Sequence, residues 1–136
     1  MKTIQVSAAI IKHNNEICVA CRSYGDFKNM WEFPGGKIEP GETREEALIR
    51  EIKEELELDI KISKYITTID YDYPNFHLTM HCFLCEVCGG NLHLNVHNEV
   101  RWVSLDELYK LNWVPADVLV VEKLKNYNAE GDIYGF

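Results

Sequence analysis

The sequence predicts an α/β domain, a mixed sheet with helices packed on its faces, from three observations. Strand-like apolar runs flank a strongly amphipathic helix near the middle of the chain. Two further helices follow the last strand-like run, so strands and helices mix within one short chain. Its 136 residues, 46% of them hydrophobic, suit a single domain with a real core. We place that domain at residues 1–127, with 128–136 as a C-terminal tail.

Taken in order, Ile4 to Lys12 is apolar and reads as a strand. The polar His13-Asn14-Asn15 turns it into a hairpin partner, Ile17 to Arg22. Ser23 to Asn29 is a polar loop, and Trp31-Glu32-Phe33 leads into a sharp corner at Pro34-Gly35-Gly36. Thr43 and Glu46 form a T-x-x-E capping box. The helix that it opens runs to about Glu57, with Leu48, Ile52 and Leu56 as its buried stripe. Ile60 to Tyr73 and Phe76 to Val87 are two strands joined at Pro74-Asn75, and Gly89-Gly90-Asn91 is the next turn. Val100 to Val103 is a short strand, and Ser104 with Glu107 caps a short helix. Pro115 opens a last helix through about Tyr127.

Composition narrows the function. A formal charge of −8 argues against a nucleic-acid polymer, which is held mainly by Lys and Arg. A small phosphorylated molecule can still enter an acidic site if a divalent cation neutralises both sides. The N-terminus lacks the features of a cleaved leader, and no run of about 18 apolar residues suggests a membrane span. Cys18, Cys21, Cys82, Cys85 and Cys88 are spaced like zinc ligands. However, the steps fall in strands, where residues three apart point to opposite faces. Buried free thiols of a cytoplasmic protein are the better reading. His77 and His81 share a strand face but lie about 13 Å apart, too far for one ion.

The sharpest local feature is an acidic helix face behind a glycine corner. Glu51, Glu54 and Glu55 stand at i, i+3 and i+4, within an arc of about 100°. Such spacing usually means a solvated acidic face. Gly35, Gly36 and Gly41 around Lys37-Ile38-Glu39-Pro40 change that reading, because a glycine loop feeding carboxylates is a platform for a cation and a diphosphate. Oxygen donors without Cys or His suit Mg²⁺, with Mn²⁺ as substitute.

Gly36 to Leu58 resembles the Nudix box, G-x5-E-x7-R-E-U-x-E-E-x-G-U with U aliphatic. Gly36, Glu42, Arg50, Glu51, Ile52, Glu54, Glu55 and Leu58 fall in register. Glu57 departs, standing where the family has a helix-ending glycine. Around the box, Trp31 to Glu39, Arg22 and Val114 to Asp117 resemble the MutT-like subgroup. The resemblance covers roughly residues 2–127 and implies the Nudix α/β/α sandwich, with a mixed sheet and helices on both faces.

It also implies roles. Glu54 and Glu55 bind metal. Glu51 binds metal or acts as general base. The carbonyl of Gly35 and the late carboxylate Glu99 are further metal ligands. Arg50, counted with Glu51 and Glu54 in the catalytic set, pairs with Glu42 to fix the loop and helix. Arg22, Lys37, Asp117, Phe76 and Leu78 are the expected substrate-binding residues, with Trp31 and Tyr73 as possible stacking groups. Asp117 stands where the subgroup contacts the nucleobase, and aspartate there resembles members acting on cytidine nucleotides. The implied reaction is NTP + H2O → NMP + pyrophosphate, on cytidine or modified and oxidised nucleotides. The alternatives are a Nudix pyrophosphatase for ADP-ribose or another nucleoside diphosphate derivative, or a non-catalytic nucleotide-sensing module. A small nucleotide is the expected partner, with the protein a monomer or homodimer.

Overall fold

The computed structural model describes residues 1–129. Its elements run β1 (Lys2–His13), β2 (Glu16–Arg22), β3 (Trp31–Glu32), β4 (Gly35–Lys37), α1 (Arg44–Leu56), β5 (Leu58–Tyr73), β6 (Phe76–Gly90), β7 (His97–Val103), α2 (Leu105–Leu108) and α3 (Pro115–Ala129). The expected tail falls mostly on residues 130–136, outside the described residues, and α3 itself reaches Ala129. No described helix is long and apolar enough to cross a membrane.

Strand β1 organises the sheet, whose order is β3-β2-β1-β6-β5. One edge of β1 pairs in parallel with β6 from Lys2↔Phe76 to Ile11↔Cys85. Its other edge is divided. Val6–Ala8 pair with β4, and Lys12 and His13 pair with β2 across the hairpin. Asn14 and Asn15 form that turn with φ of 49° and 65°. Asparagine tolerates this left-handed backbone, which matches the twist of a two-residue hairpin. Strand β7 pairs with the far edge of β2.

Alternation along β1 builds the two cores. Ala8 and Ile10 face a cluster closed by Ala116, Val120, Val121 and Leu124 of α3. Ala9 and Ile11 face a second cluster with Leu48, Ile52 and Leu56 of α1. The sheet is therefore mixed and covered by a helix on each face. The cysteines obey the same parity. Cys18 and Cys85 lie in the α1 cluster, Cys21 and Cys82 in the α3 cluster, and all five are free. Burial pushes the Cys18 and Cys85 thiols up to about 12.

Several boundaries differ from the expectation. Gly89 and Gly90 are not a turn. They are the last rungs of β6, opposite Asp59 and Leu58, and a Cβ on Gly90 would collide with the Glu57 carbonyl. Strand β7 begins at His97 rather than Val100, because β2 supplies a pairing edge along its whole length. Helix α1 ends at Leu56, one residue early.

Two contacts place the functional elements. Trp31 pairs with the segment before α3, donating to the Asn112 carbonyl at 2.8 Å and accepting from Val114 N–H at 2.9 Å. On the opposite face, the Ser7 hydroxyl donates to the Arg44 carbonyl at 2.9 Å, fixing the start of α1 against β1.

Candidate active site

Helix α1 starts as its sequence requires. Thr43 caps it, accepting from Glu46 N–H at 3.0 Å, while the Glu46 carboxylate accepts from Thr43 N–H at 2.9 Å. Strand β4 crosses the helix so closely that a Cβ on Gly36 would collide with the Glu51 carboxyl, and one on Gly35 with the Ser7 carbonyl. At Gly35 the clash is with backbone and only glycine fits, whereas a side chain at Gly36 would displace the Glu51 carboxyl.

Arg50 is the hub of the acidic face. It grips Glu42 with both arms of its fork, Nε to Oε2 at 2.6 Å and Nη2 to Oε1 at 2.9 Å. Nη1 donates to Glu51 at 2.9 Å and to Glu54 at 3.2 Å, and Nη2 also donates to the Lys37 carbonyl at 3.0 Å. One guanidinium thus relieves the repulsion of three carboxylates and ties the loop to the helix. It holds the Glu42 carboxyl down to about 2. Glu54 remains largely exposed.

Glu55 is different. It lines a cavity together with Gly35 and Gly36 of β4. Burial pushes its carboxyl up to about 7, and its Oε1 is buried without any partner. Such an orphaned oxygen calls for a ligand. Among the described residues no three acidic, histidine or cysteine side chains already converge on one ion position, since Arg50 holds Glu51 and Glu54. The donor chemistry nonetheless fits a hard divalent cation: carboxylates at one glycine corner, one with an unmet lone pair.

A cavity of about 770 Å³ is lined by Gly35, Gly36, Lys37 and Glu55, and also by Asp117, Phe76, Leu78 and Met80, with Arg22 on its wall. Of the acidic helix face only Glu55 lines it; Arg50, Glu51 and Glu54 do not. Asp117 lies in the first turn of α3, only 5% exposed. It accepts from Phe33 N–H at 2.9 Å, and burial pushes its carboxyl up to about 7. Tyr73 adds an aromatic wall, stacked on Phe76 at 5.1 Å, and its hydroxyl accepts from Ala116 N–H at 3.0 Å.

Other expected residues lie elsewhere. Glu99 is no part of the cavity wall. It is half exposed and paired with Arg101. The register of β7 against β2 slips between Cys21 and Arg22, so that Glu99 sits opposite Cys21 and His97 opposite Arg22. That irregularity brings His97 to the site instead. Trp31 is buried away from the cavity under the guanidinium of Arg101, 4.7 Å from its centroid. His77 is held by Asp70 and Asp72, and His81 by Thr68 and Gln5. Among the described residues the two histidines share no ligand.

Glu32, His97 and Phe27 line the cavity without having been expected there. Glu32 accepts from Arg22 at 2.6 Å and from His97 Nε2 at 3.1 Å. Glu32 had a usable hint, a carboxylate on a strand beside the hairpin's one terminal arginine. His97 had none.

This fold and site define a Nudix hydrolase. The family model for the NUDIX domain matches residues 1–124, and the chain belongs to that family. It is 32% identical over 123 residues to the CTP pyrophosphohydrolase of Escherichia coli, covering 90% of this chain and 91% of the relative. It is 35% identical over 127 residues to the 8-oxo-dGTP diphosphatase of the same organism, covering 92% and 98%. The solution structure of the E. coli ORF135 protein superposes with a TM-score of 0.83 at 32% identity, over 96% of this chain and 94% of that one. The MutT Nudix hydrolase of Burkholderia pseudomallei, at 24% identity, shares the fold with a TM-score of 0.82, over 90% and 98%.

Proposed function

We propose that this Nudix hydrolase is a magnesium-dependent nucleoside triphosphate pyrophosphohydrolase, releasing NMP and pyrophosphate, with a preference for cytidine or for modified and oxidised nucleotides. One observation carries the reading. A single cavity of nucleotide size is lined both by the glycine corner with Lys37 and Glu55 of the acidic helix and by the buried Asp117 with the apolar Phe76, Leu78 and Met80.

In this reading Glu54 and Glu55, with the Gly35 carbonyl, hold Mg²⁺. When bound, the ion supplies charge neutralisation on the diphosphate and acidifies water. The remaining steps belong to the chain. Lys37 contributes positive charge at the phosphate end. Glu51, oriented by Arg50 at 2.9 Å, accepts the proton of the attacking water. Phe76 and Leu78 pack against the base while Asp117 reads its edge. An ionised Asp117 accepts from an exocyclic amine or a ring N–H, and a protonated one donates.

The relatives named for CTP and 8-oxo-dGTP support a reading on nucleoside triphosphates of these kinds. A second reading has a specific basis: the chain is also 37% identical over 106 residues to an ADP-ribose pyrophosphatase of Methanocaldococcus jannaschii, covering 75% of this chain and 62% of the relative. Product analysis with Mg²⁺ across dCTP, 5-methyl-dCTP, CTP, 8-oxo-dGTP, dGTP and ADP-ribose separates the two. The proposal expects monophosphate and pyrophosphate, with a cytidine or oxidised substrate outrunning dGTP. Fastest turnover of ADP-ribose, or release of a nucleoside diphosphate with inorganic phosphate, would refute it.

A further inference from the structure

Two buried side-chain atoms among the described residues have no hydrogen-bond partner: Glu55 Oε1 and His97 Nδ1. Both residues line the same cavity. The His97 side chain is only 4% exposed, so its unmet nitrogen has no access to bulk water. Glu32 accepts from Nε2 at 3.1 Å and fixes the ring, which leaves Nδ1 as the nitrogen without a partner.

The backbone ties the two residues together. The segment leading into His97 is bolted to the last turn of α1. His93 N–H donates to the Leu56 carbonyl at 2.9 Å, and Asn95 N–H to the Glu55 carbonyl at 3.1 Å. The Asn95 side chain donates to the Glu54 carbonyl at 2.7 Å. The same segment is held on its other side, where Ser23 donates to the Val96 carbonyl and Glu32 meets His97. This strap therefore joins the end of the acidic helix to the Arg22–Glu32 wall.

We propose that His97 is a positioning residue for Glu55: a polar group, an ordered water in the free protein, is shared by Nδ1 and Oε1 and holds that carboxylate in one orientation. A buried water needs two or more polar partners, and these two atoms supply them. The proposal rests on the reading that Glu55 holds the divalent ion, and it gives that ion a supporting shell of the kind that typically changes metal affinity 10–100-fold when removed.

The test uses the full chain and Mn²⁺ binding followed by electron paramagnetic resonance, beside steady-state kinetics. In His97→Gln the new amide occupies the Nε2 position, keeping Glu32 but vacating Nδ1. In His97→Asn it occupies the Nδ1 position and abandons Glu32. We expect His97→Gln to weaken Mn²⁺ binding about tenfold or more and to lower kcat, with KM moving less than about threefold. His97→Asn should return both quantities to within about threefold of wild type. A silent Gln variant with a damaging Asn variant would make His97 a mere partner of Glu32 and overturn the proposal, as would equal losses in both. Should neither variant fold, histidine ¹⁵N spectra of the wild-type protein decide. The proposal expects the His97 Nδ1 resonance to move on adding Mg²⁺, and an unmoved resonance defeats it. If the wild-type chain binds no Mn²⁺ at all, the metal site itself has failed. If it binds and hydrolyses normally while the pattern above is absent, only the role of His97 has failed.

Discussion

The two ends of the cavity are built on opposite plans. The carboxylate end comes almost wholly from residues 35–55: Gly35, Gly36, Lys37 and Glu55 line the cavity, while Glu42, Glu51 and Glu54, outside its lining, are held redundantly around Arg50. The end proposed to hold the base is assembled from β2, β5, β6 and α3, and its buried carboxylate, Asp117, is fixed by the Phe33 N–H. Local, redundant construction suits chemistry that must not vary. Single contacts between distant segments suit a selectivity that is easily retuned. Damage at the first end should therefore abolish turnover, whereas damage at the second should redirect it.

The largest effect tests the first half of that contrast. Glu54→Gln and Glu55→Gln should each lower kcat/KM roughly a thousandfold, since a metal site supplies several kcal/mol of charge stabilisation. Circular dichroism should be unchanged. Glu55 carries a further signature. Its folded-state pKa, about 7, lies above the ordinary value of 4.5, so the folded state holds the proton more tightly and loses stability as pH rises from about 4.5 to 7. Without metal, Glu55→Gln escapes that loss. Urea titrations in chelator above pH 7 should find the inactive variant more stable than wild type, on the order of 1–2 kcal/mol. Equal stability of the two proteins would mean Glu55 is solvated in solution.

Next in size is the hub. Arg50→Lys keeps the charge but cannot grip Glu42 bidentately while also reaching Glu51 and Glu54. We expect kcat to fall roughly tenfold to a hundredfold, with weaker Mn²⁺ binding and little change in base preference. A change in base preference would show that the two ends are not separable.

Asp117→Asn probes the other end. The ratio of kcat/KM for CTP over 8-oxo-dGTP should shift roughly tenfold while turnover of the better substrate survives. The wild-type ratio should also change between pH 6 and 8, as the carboxyl passes through its value of about 7, whereas the variant's ratio stays flat. A large loss of kcat on every substrate would collapse the distinction between the ends.

What could be read from the sequence follows the same division. Helix α1, its capping box and the grouping of Glu42, Arg50, Glu51, Glu54 and Glu55 depend on short-range spacing, which a sequence displays directly. The buried stripe of Leu48, Ile52 and Leu56 and the opposite facing of cysteines three apart in a strand were equally legible. Strands β3 and β4, at two and three residues, are too short for alternation to register. The exchange of Glu99 for His97 arises from one slipped register opposite Cys21 and Arg22, and Glu32 meets His97 across 65 residues. No local pattern encodes either contact.

The smallest expected effect falls where the local motif departs from its family pattern. Glu57 follows the last residue of α1 with φ 57° and ψ 30°, its N–H donating to the Lys53 carbonyl at 3.0 Å. This left-handed cap favours glycine, and an L side chain there costs roughly 1 kcal/mol. The side chain recovers little, since its one ion-pair contact, to His93 at 4.0 Å, is exposed. The turn thus keeps its left-handed conformation without the glycine, because the strap from His93 to Asn95 and the close approach of Gly90 hold the chain in place. Glu57→Gly should raise stability by about 0.5–1 kcal/mol, or on the order of 2–5 °C in Tm, and leave kcat/KM unchanged. A drop in kcat with raised stability would instead mean that the stiff, strained cap helps aim Glu54 and Glu55. The carboxylate end would then depend on its C-terminal neighbour as well as on Arg50.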